Sequence, residues 1–185
     1  VSFIKNSPRE WDFRDLIFAM KSADRLKLIL QRDESTKDLL EYFENELTAQ
    51  NIMSTVATKL QRYEFIAAAW SHANEKISLR DWTKEEYILV LGNDEATRTA
   101  LDAVNQVIFR RLSELILDQS ESVTRRTWIF LDEVREMSHL EGLSRLLTKG
   151  RSKGTSVVIG FQDIEGLREV YGNKVAAEST GQCSH

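Results

Sequence analysis

The stretch Thr127-Trp128-Ile129-Phe130-Leu131 is uncharged and mostly bulky, and it runs straight into two adjacent carboxylates, Asp132 and Glu133. Such a run without polar alternation suits a strand of a parallel sheet that helices cover on both faces. The pattern recurs. Tyr87-Ile88-Leu89-Val90-Leu91 ends in Gly92-Asn93-Asp94, and Ser156-Val157-Val158-Ile159-Gly160-Phe161 ends in Gln162-Asp163. A helical pattern follows each of them, and strands alternating with helices imply an α/β fold with a mainly parallel sheet. Asp94, Asp132 and Gln162 are then expected along one edge, because parallel strands end on the same side and ligands bind there.

Upstream of this alternation the sequence reads as helical. Ser7-Pro8-Arg9-Glu10 has the form of a capping box that starts a first helix. Ser35-Thr36-Lys37-Asp38 opens another, with Leu39, Leu40, Phe43 and Leu47 on one face. Ile52, Val56, Leu60, Tyr63, Ile66 and Trp70 then recur at helical spacing, the mark of a core-facing stripe. Near residue 76 the pattern changes, so a small all-α subdomain over 1–75 and an α/β portion over 76–185 are expected. In the second part, Ile77 to Trp82 reads as a short strand and 95–118 as a long helix with Leu101, Val104, Ile108, Leu112 and Leu115 in a stripe. Leu140, Leu143, Leu146 and Leu147 mark a helix that Gly150 stops, and Gly172 breaks the helix after the last strand. Ser179 to Cys183 reads as the start of a further strand, as though the chain were cut there.

Composition bounds the function classes. The 185 residues, 42% hydrophobic and 29% charged, are those of a globular protein. The longest apolar runs are strand-sized, well below the ~20 residues of a spanning helix, and no signal peptide opens the chain, which points to the cytoplasm. A single cysteine, Cys183, excludes an internal disulfide and reads as a small buried residue. The net charge of −4 argues against strong non-specific nucleic-acid binding by the whole chain. Basic residues do cluster in the turn-like Lys149-Gly150-Arg151-Ser152-Lys153-Gly154, which is either a solvated loop or a phosphate contact. His72, His139 and His185 are too scattered for a metal site.

Asp132-Glu133 at a strand end has the form of a Walker B motif, placed to hold a hydrated magnesium ion and polarise a water for attack on a phosphate. A core strand followed by a helix with an acidic first turn would give the same residues. Gln162, at the tip of the next strand, suits a group that senses a terminal phosphate or orients the attacking water; it is equally a solvated helix start. No Gly-x-x-x-x-Gly-Lys-Ser/Thr loop, the usual companion of a Walker B strand, occurs in the sequence.

Taken together, Trp128 to Glu133, Leu143-x-x-Leu146-Leu147-Thr148-Lys149-Gly150-Arg151, Gly160-Phe161-Gln162-Asp163, Leu167-Arg168 and Tyr171-Gly172 resemble the conjugative coupling proteins of type IV secretion systems, the TraD/TraG-like DNA pumps. The likeness is fullest from Ile52 onward. It implies a RecA-like P-loop NTPase fold related to FtsK-type translocases, a homo-hexameric ring using ATP and Mg2+, and a place on the cytoplasmic side of the bacterial inner membrane. It implies single-stranded DNA, a relaxase and secretion components as partners. Residues 1–75 would be the tail of an all-α insertion lying between Walker A and Walker B. Asp132 would be the magnesium carboxylate, acting through water, and Glu133 the catalytic base. Arg151 would be the arginine finger donated to a neighbouring subunit, Gln162 the phosphate sensor, and Lys149 and Lys153 contacts to nucleic acid. Lacking the phosphate loop, an excised piece or a degenerate remnant is expected to be inactive alone. The alternative function is a non-catalytic interaction or assembly module of a DNA-processing or secretion complex.

Overall fold

The computed structural model describes residues 11–92, 94–134, 137 and 139–182. The chain divides into two compact units, Val1–Lys76 and Ile77–His185.

Every regular element described in the first unit is helical. Helix α1 (Phe13–Met20) begins at a reciprocal cap, in which the Asp15 amide donates to Asp12 Oδ1 at 2.9 Å and the Asp12 amide to Asp15 Oδ2 at 3.3 Å. Two amides that a helix start leaves unpaired are thereby satisfied. The expected Ser7 capping box lies outside the described residues. Helix α2 (Ala23–Gln31) is capped by Ser22. The helix expected from Ser35 is instead a 3-10 helix, Glu34–Phe43, in which nothing is buried. It is capped by Asp33, whose Oδ1 accepts from both the amide (3.1 Å) and the hydroxyl (2.7 Å) of Ser35, so Ser35, expected to open the helix, lies inside the element. Helix α3 (Glu46–His72) then starts at Asn45, so Leu47 belongs to it and not to the preceding segment. In its stripe Ile52, Val56, Leu60, Tyr63 and Ile66 are at least partly covered, while Trp70 is exposed. Phe13 meets Tyr63 edge-on at 6.2 Å and Lys21 pairs with Glu64, which lays α1 along α3.

In the second unit two expected strands are absent. Ser78 caps a helical turn, α4 (Leu79–Trp82), by accepting from the Asp81 amide at 3.4 Å, so Ile77 to Trp82 curls where an extended run was expected. Tyr87 to Leu91 forms no strand either, with Ile88 93% and Val90 81% exposed. A strand exists only against a hydrogen-bonding neighbour, and no described strand lies beside this run. Asp94 therefore does not reach a sheet edge; its carboxylate accepts from the Thr97 hydroxyl at 3.0 Å, just ahead of α5 (Arg98–Leu117).

The deepest residues of α5 are Ala103, Phe109, Ser113 and Ile116, and the expected stripe of Leu101, Val104, Ile108, Leu112 and Leu115 is only partly covered beside them. Small residues choose this seam. A Cβ on Gly142 would stand 3.0 Å from that of Ser113, a close approach that a scale of hydrophobicity does not register.

Strand β1 (Thr127–Leu131) pairs in parallel with β2 (Thr155–Ile159), Leu131 opposite Ile159. Helix α6 (Leu143–Lys149) and a 3-10 turn, Arg151–Lys153, connect them, and α7 (Ile164–Gln182) follows. Gly172, at φ 79° and ψ 162°, interrupts α7 as expected, but helix resumes to Gln182, so Ser179 to Gln182 starts no strand; Cys183 lies outside the described residues. Phe109 and Ile116 of α5, Leu143 and Leu146 of α6 and Leu167 and Tyr171 of α7 form the core with Leu131 and Val134. Tyr171 also holds the start of α6, its hydroxyl accepting from the buried Leu140 amide at 3.3 Å.

The sheet is covered on one face. Ile129, Leu131, Val157 and Ile159 turn toward the core, whereas Trp128 is 55% and Phe130 70% exposed, their rings stacked at 6.0 Å. Burial on both faces, expected from the apolar run, therefore does not hold: burial alternates with the two-residue period because no described element packs on the second face.

Candidate functional site

The carboxyl edge of the sheet is shaped by an irregularity in the ladder. Were the pairing regular beyond Leu131 and Ile159, the Gly160 amide would donate to Leu131 O and its carbonyl would accept from Glu133. The first bond is present at 2.7 Å; the second comes from Val134, at 3.0 Å. Two residues, Asp132 and Glu133, thus stand where one would continue the strand, which is a β-bulge. Glu133 absorbs it with φ at 48°, the single described non-glycine residue of positive φ. Left-handed backbone costs an L residue roughly 1–2 kcal/mol.

This has a consequence that the chain alone can test. Replacing Glu133 by glycine should give a more stable protein than replacing it by alanine, by roughly 0.5–1 kcal/mol in denaturant unfolding, because relief of the left-handed strain exceeds the entropy glycine loses on folding. Alanine more stable than glycine would mean that the bulge is absent in solution.

The bulge presents three polar side chains together. Gln162 Nε2 lies 3.4 Å from Glu133 Oε1, a long hydrogen bond across the strand ends. Asp132 is exposed and has no partner among the described residues, leaving its carboxylate open to a cation. Gly160 sits directly beneath, since a Cβ there would be 2.8 Å from Asp132 Oδ1. Asp132, Glu133 and Gln162 are accordingly gathered where the sequence places them, while Asp94 is not. Two carboxylates and a carboxamide do not make a closed metal cage, and no group of three or more His, Cys, Asp or Glu ligands exists among the described residues. They fit magnesium, which keeps several waters and takes one or two carboxylates together with substrate phosphate.

Arg151 belongs to the opposite edge. It opens the turn that precedes β2, and the five-residue strand between it and the bulge is roughly 15 Å long at the usual rise per residue. The turn is firmly held. Gly154, at φ 76°, lies so close that a Cβ would be 2.6 Å from Arg125 O. The Ser122 amide donates to Ser152 O at 3.0 Å, and Arg125 Nη1 donates to Lys153 O at 3.2 Å. On this rigid base Arg151 and Lys149 are exposed and Lys153 is half-buried, and the Arg151 guanidinium has no partner among the described residues.

Comparison with known proteins bears on this arrangement. The family model of the type IV secretion-system coupling protein DNA-binding domain matches residues 4–185. Coupling protein TraD of Escherichia coli (strain K12) is 26% identical over 139 residues, which is 71% of this chain and 19% of TraD. Among solved structures, the bacterial conjugative coupling protein TrwBdeltaN70 in its unbound monoclinic form superposes with a TM-score of 0.70 at 22% identity, over 97% of this chain and 41% of that one. The plasmid coupling protein TrwB in complex with ADP and Mg2+ gives 0.65 at 22% identity, over 97% and 42%. At such identities these structures show a shared RecA-like α/β fold, and the chain spans less than half of each of these relatives. With the family model covering nearly its whole length, the chain belongs to the type IV secretion-system coupling protein DNA-binding domain family.

Proposed function

We propose that the chain is part of an ATP-driven DNA translocase that delivers conjugative DNA, with its relaxase, to a type IV secretion channel. The observation that carries this reading is the meeting of Glu133 and Gln162 at 3.4 Å on the bulged carboxyl edge of a parallel strand pair, beside an open Asp132. Asp132 holds Mg2+ through water, Glu133 activates the attacking water, and Gln162 couples that base to the terminal phosphate. TrwB is known in complex with ADP and Mg2+ and with a non-hydrolysable ATP analogue, which supports ATP and Mg2+ as the ligands here.

In this reading residues 1–75 are the tail of an all-α insertion and 76–185 the Walker B part of the nucleotide-binding domain. The phosphate loop, missing from the 185 residues, is supplied by the remainder of a longer polypeptide, whose strands and helices cover the bare Trp128 and Phe130 face. No helix among the described residues is long and apolar enough to cross a membrane, so attachment to the cytoplasmic side of the inner membrane also falls to that remainder. The motor works as a homo-hexamer.

The isolated chain is expected not to hydrolyse ATP, and a longer protein carrying chain and phosphate loop is expected to do so, in a steady-state assay with Mg2+. DNA binding separates them as well. With net charge −4 and few basic loops, the monomer should bind single-stranded DNA weakly at ~200 mM salt, while a ring that gathers Lys149 and Lys153 from several subunits should bind far better. Nanomolar binding by the monomer at that salt, or a longer protein without ATPase activity, overturns the reading.

A further inference from the structure

We propose that Gly160 is a positioning residue for the magnesium carboxylate, Asp132, acting through both its backbone and its missing side chain. The inference rests on the reading of Asp132 as the carboxylate that holds Mg2+ through water. Gly160 brackets the bulge: its amide donates to Leu131 O at 2.7 Å and its carbonyl accepts from the Val134 amide at 3.0 Å, fixing the residues on either side of Asp132 and Glu133. Between those two bonds the Asp132 side chain lies over the Gly160 Cα, where a Cβ would come within 2.8 Å of Oδ1 and 3.5 Å of the Asp132 Cα. Any residue could make the two backbone bonds; what calls for glycine is space. Gly160 is not among the residues of positive φ, so alanine can adopt its backbone, and what must give way is the end of a side chain rather than the main chain. The methyl group of Gly160→Ala therefore turns the carboxylate away from its pose and leaves the ladder standing. Displacing a carboxylate that holds a metal through its water shell typically lowers the metal affinity by 10–100-fold.

Two measurements test this. In the isolated chain, Gly160→Ala should keep or slightly raise the melting temperature, in the wild-type and in an Asp132→Ala background alike, because only an exposed carboxylate has to turn and alanine restrains the unfolded chain. A loss in either background, or failure to fold, overturns the proposal. In a longer protein with its phosphate loop, binding of a fluorescent ADP is titrated with Mg2+. Gly160→Ala should raise the Mg2+ concentration at half-saturation about 10–100-fold while leaving metal-free ADP affinity unchanged, a split that general destabilisation does not produce. Wild-type Mg2+ dependence in Gly160→Ala, when Asp132→Ala has lost it, overturns this proposal alone. Mg2+ dependence that survives in Asp132→Ala overturns the magnesium reading of the site, and the role of Gly160 with it.

Discussion

Glu133→Gln, in a longer protein that joins this chain to its phosphate loop, is expected to bind ATP normally and to hydrolyse it at least ~10²-fold more slowly, the usual contribution of a positioned general base. The geometry favours a clean separation of the two effects. A carboxamide at position 133 keeps the oxygen that accepts from Gln162 Nε2, so the contact across the strand ends survives the change. It also keeps the shape of the left-handed corner, because the backbone strain at Glu133 belongs to its φ and not to its charge. What is lost is basicity. Equilibrium nucleotide binding together with single-turnover hydrolysis distinguishes this outcome from a damaged site. Normal hydrolysis would reduce Asp132 and Glu133 to the end of a core strand.

The parts of the fold legible in the sequence are those whose signals are local. The helix stop at Gly150 and the break at Gly172 each depend on a few neighbouring residues, and both are present; β1 and β2 are present as well, because each run has the other to bond with. The misreadings have a common physical cause, the dependence of a segment on what packs or pairs with it. Tyr87 to Leu91 has the composition of a strand and no described neighbour to bond with. Trp128 and Phe130 have the composition of a doubly covered strand, but among the described residues a helix layer meets only the other face. At Ser78 a side-chain cap outweighs the pattern around it, turning an expected strand into α4, and at Asp33 a cap places the helical start ahead of Ser35.

Which polar residues meet at the strand ends was legible in the sequence, and their geometry was not. That Asp132, Glu133 and Gln162 share an edge follows from two parallel strands ending together. The bulge that separates the two carboxylates follows from one displaced hydrogen bond, to Val134 in place of Glu133, and no residue type near it demands that. Gly160 is the one hint, since an isolated glycine in an apolar run signals a bulge or a close approach.

Arg151→Ala is the second large effect expected, a loss of roughly 10³-fold or more in turnover, as when an arginine finger is removed. The structure constrains how this residue can act. Arg151 lies beyond the amino end of β2, and the bulge lies beyond the carboxyl ends, so the length of the strand separates it from the Asp132-Glu133 pair of its own subunit. The turn that carries it is bonded to residues 122 and 125 and fixed by Gly154, which leaves little freedom to swing across. A rigid turn whose guanidinium has no partner among the described residues, remote from its own site, suits donation to the site of a neighbouring subunit. Mixing decides the matter. Rings of Glu133→Gln alone or Arg151→Ala alone should be nearly inactive. In mixed rings an Arg151→Ala subunit that keeps Glu133 receives an intact arginine from a Glu133→Gln neighbour, and part of the activity should return. If activity stays at the level of the separate mutants despite demonstrated subunit exchange, Arg151 does not act across the interface. If Arg151→Ala alone retains full turnover, the basic turn is a solvated loop.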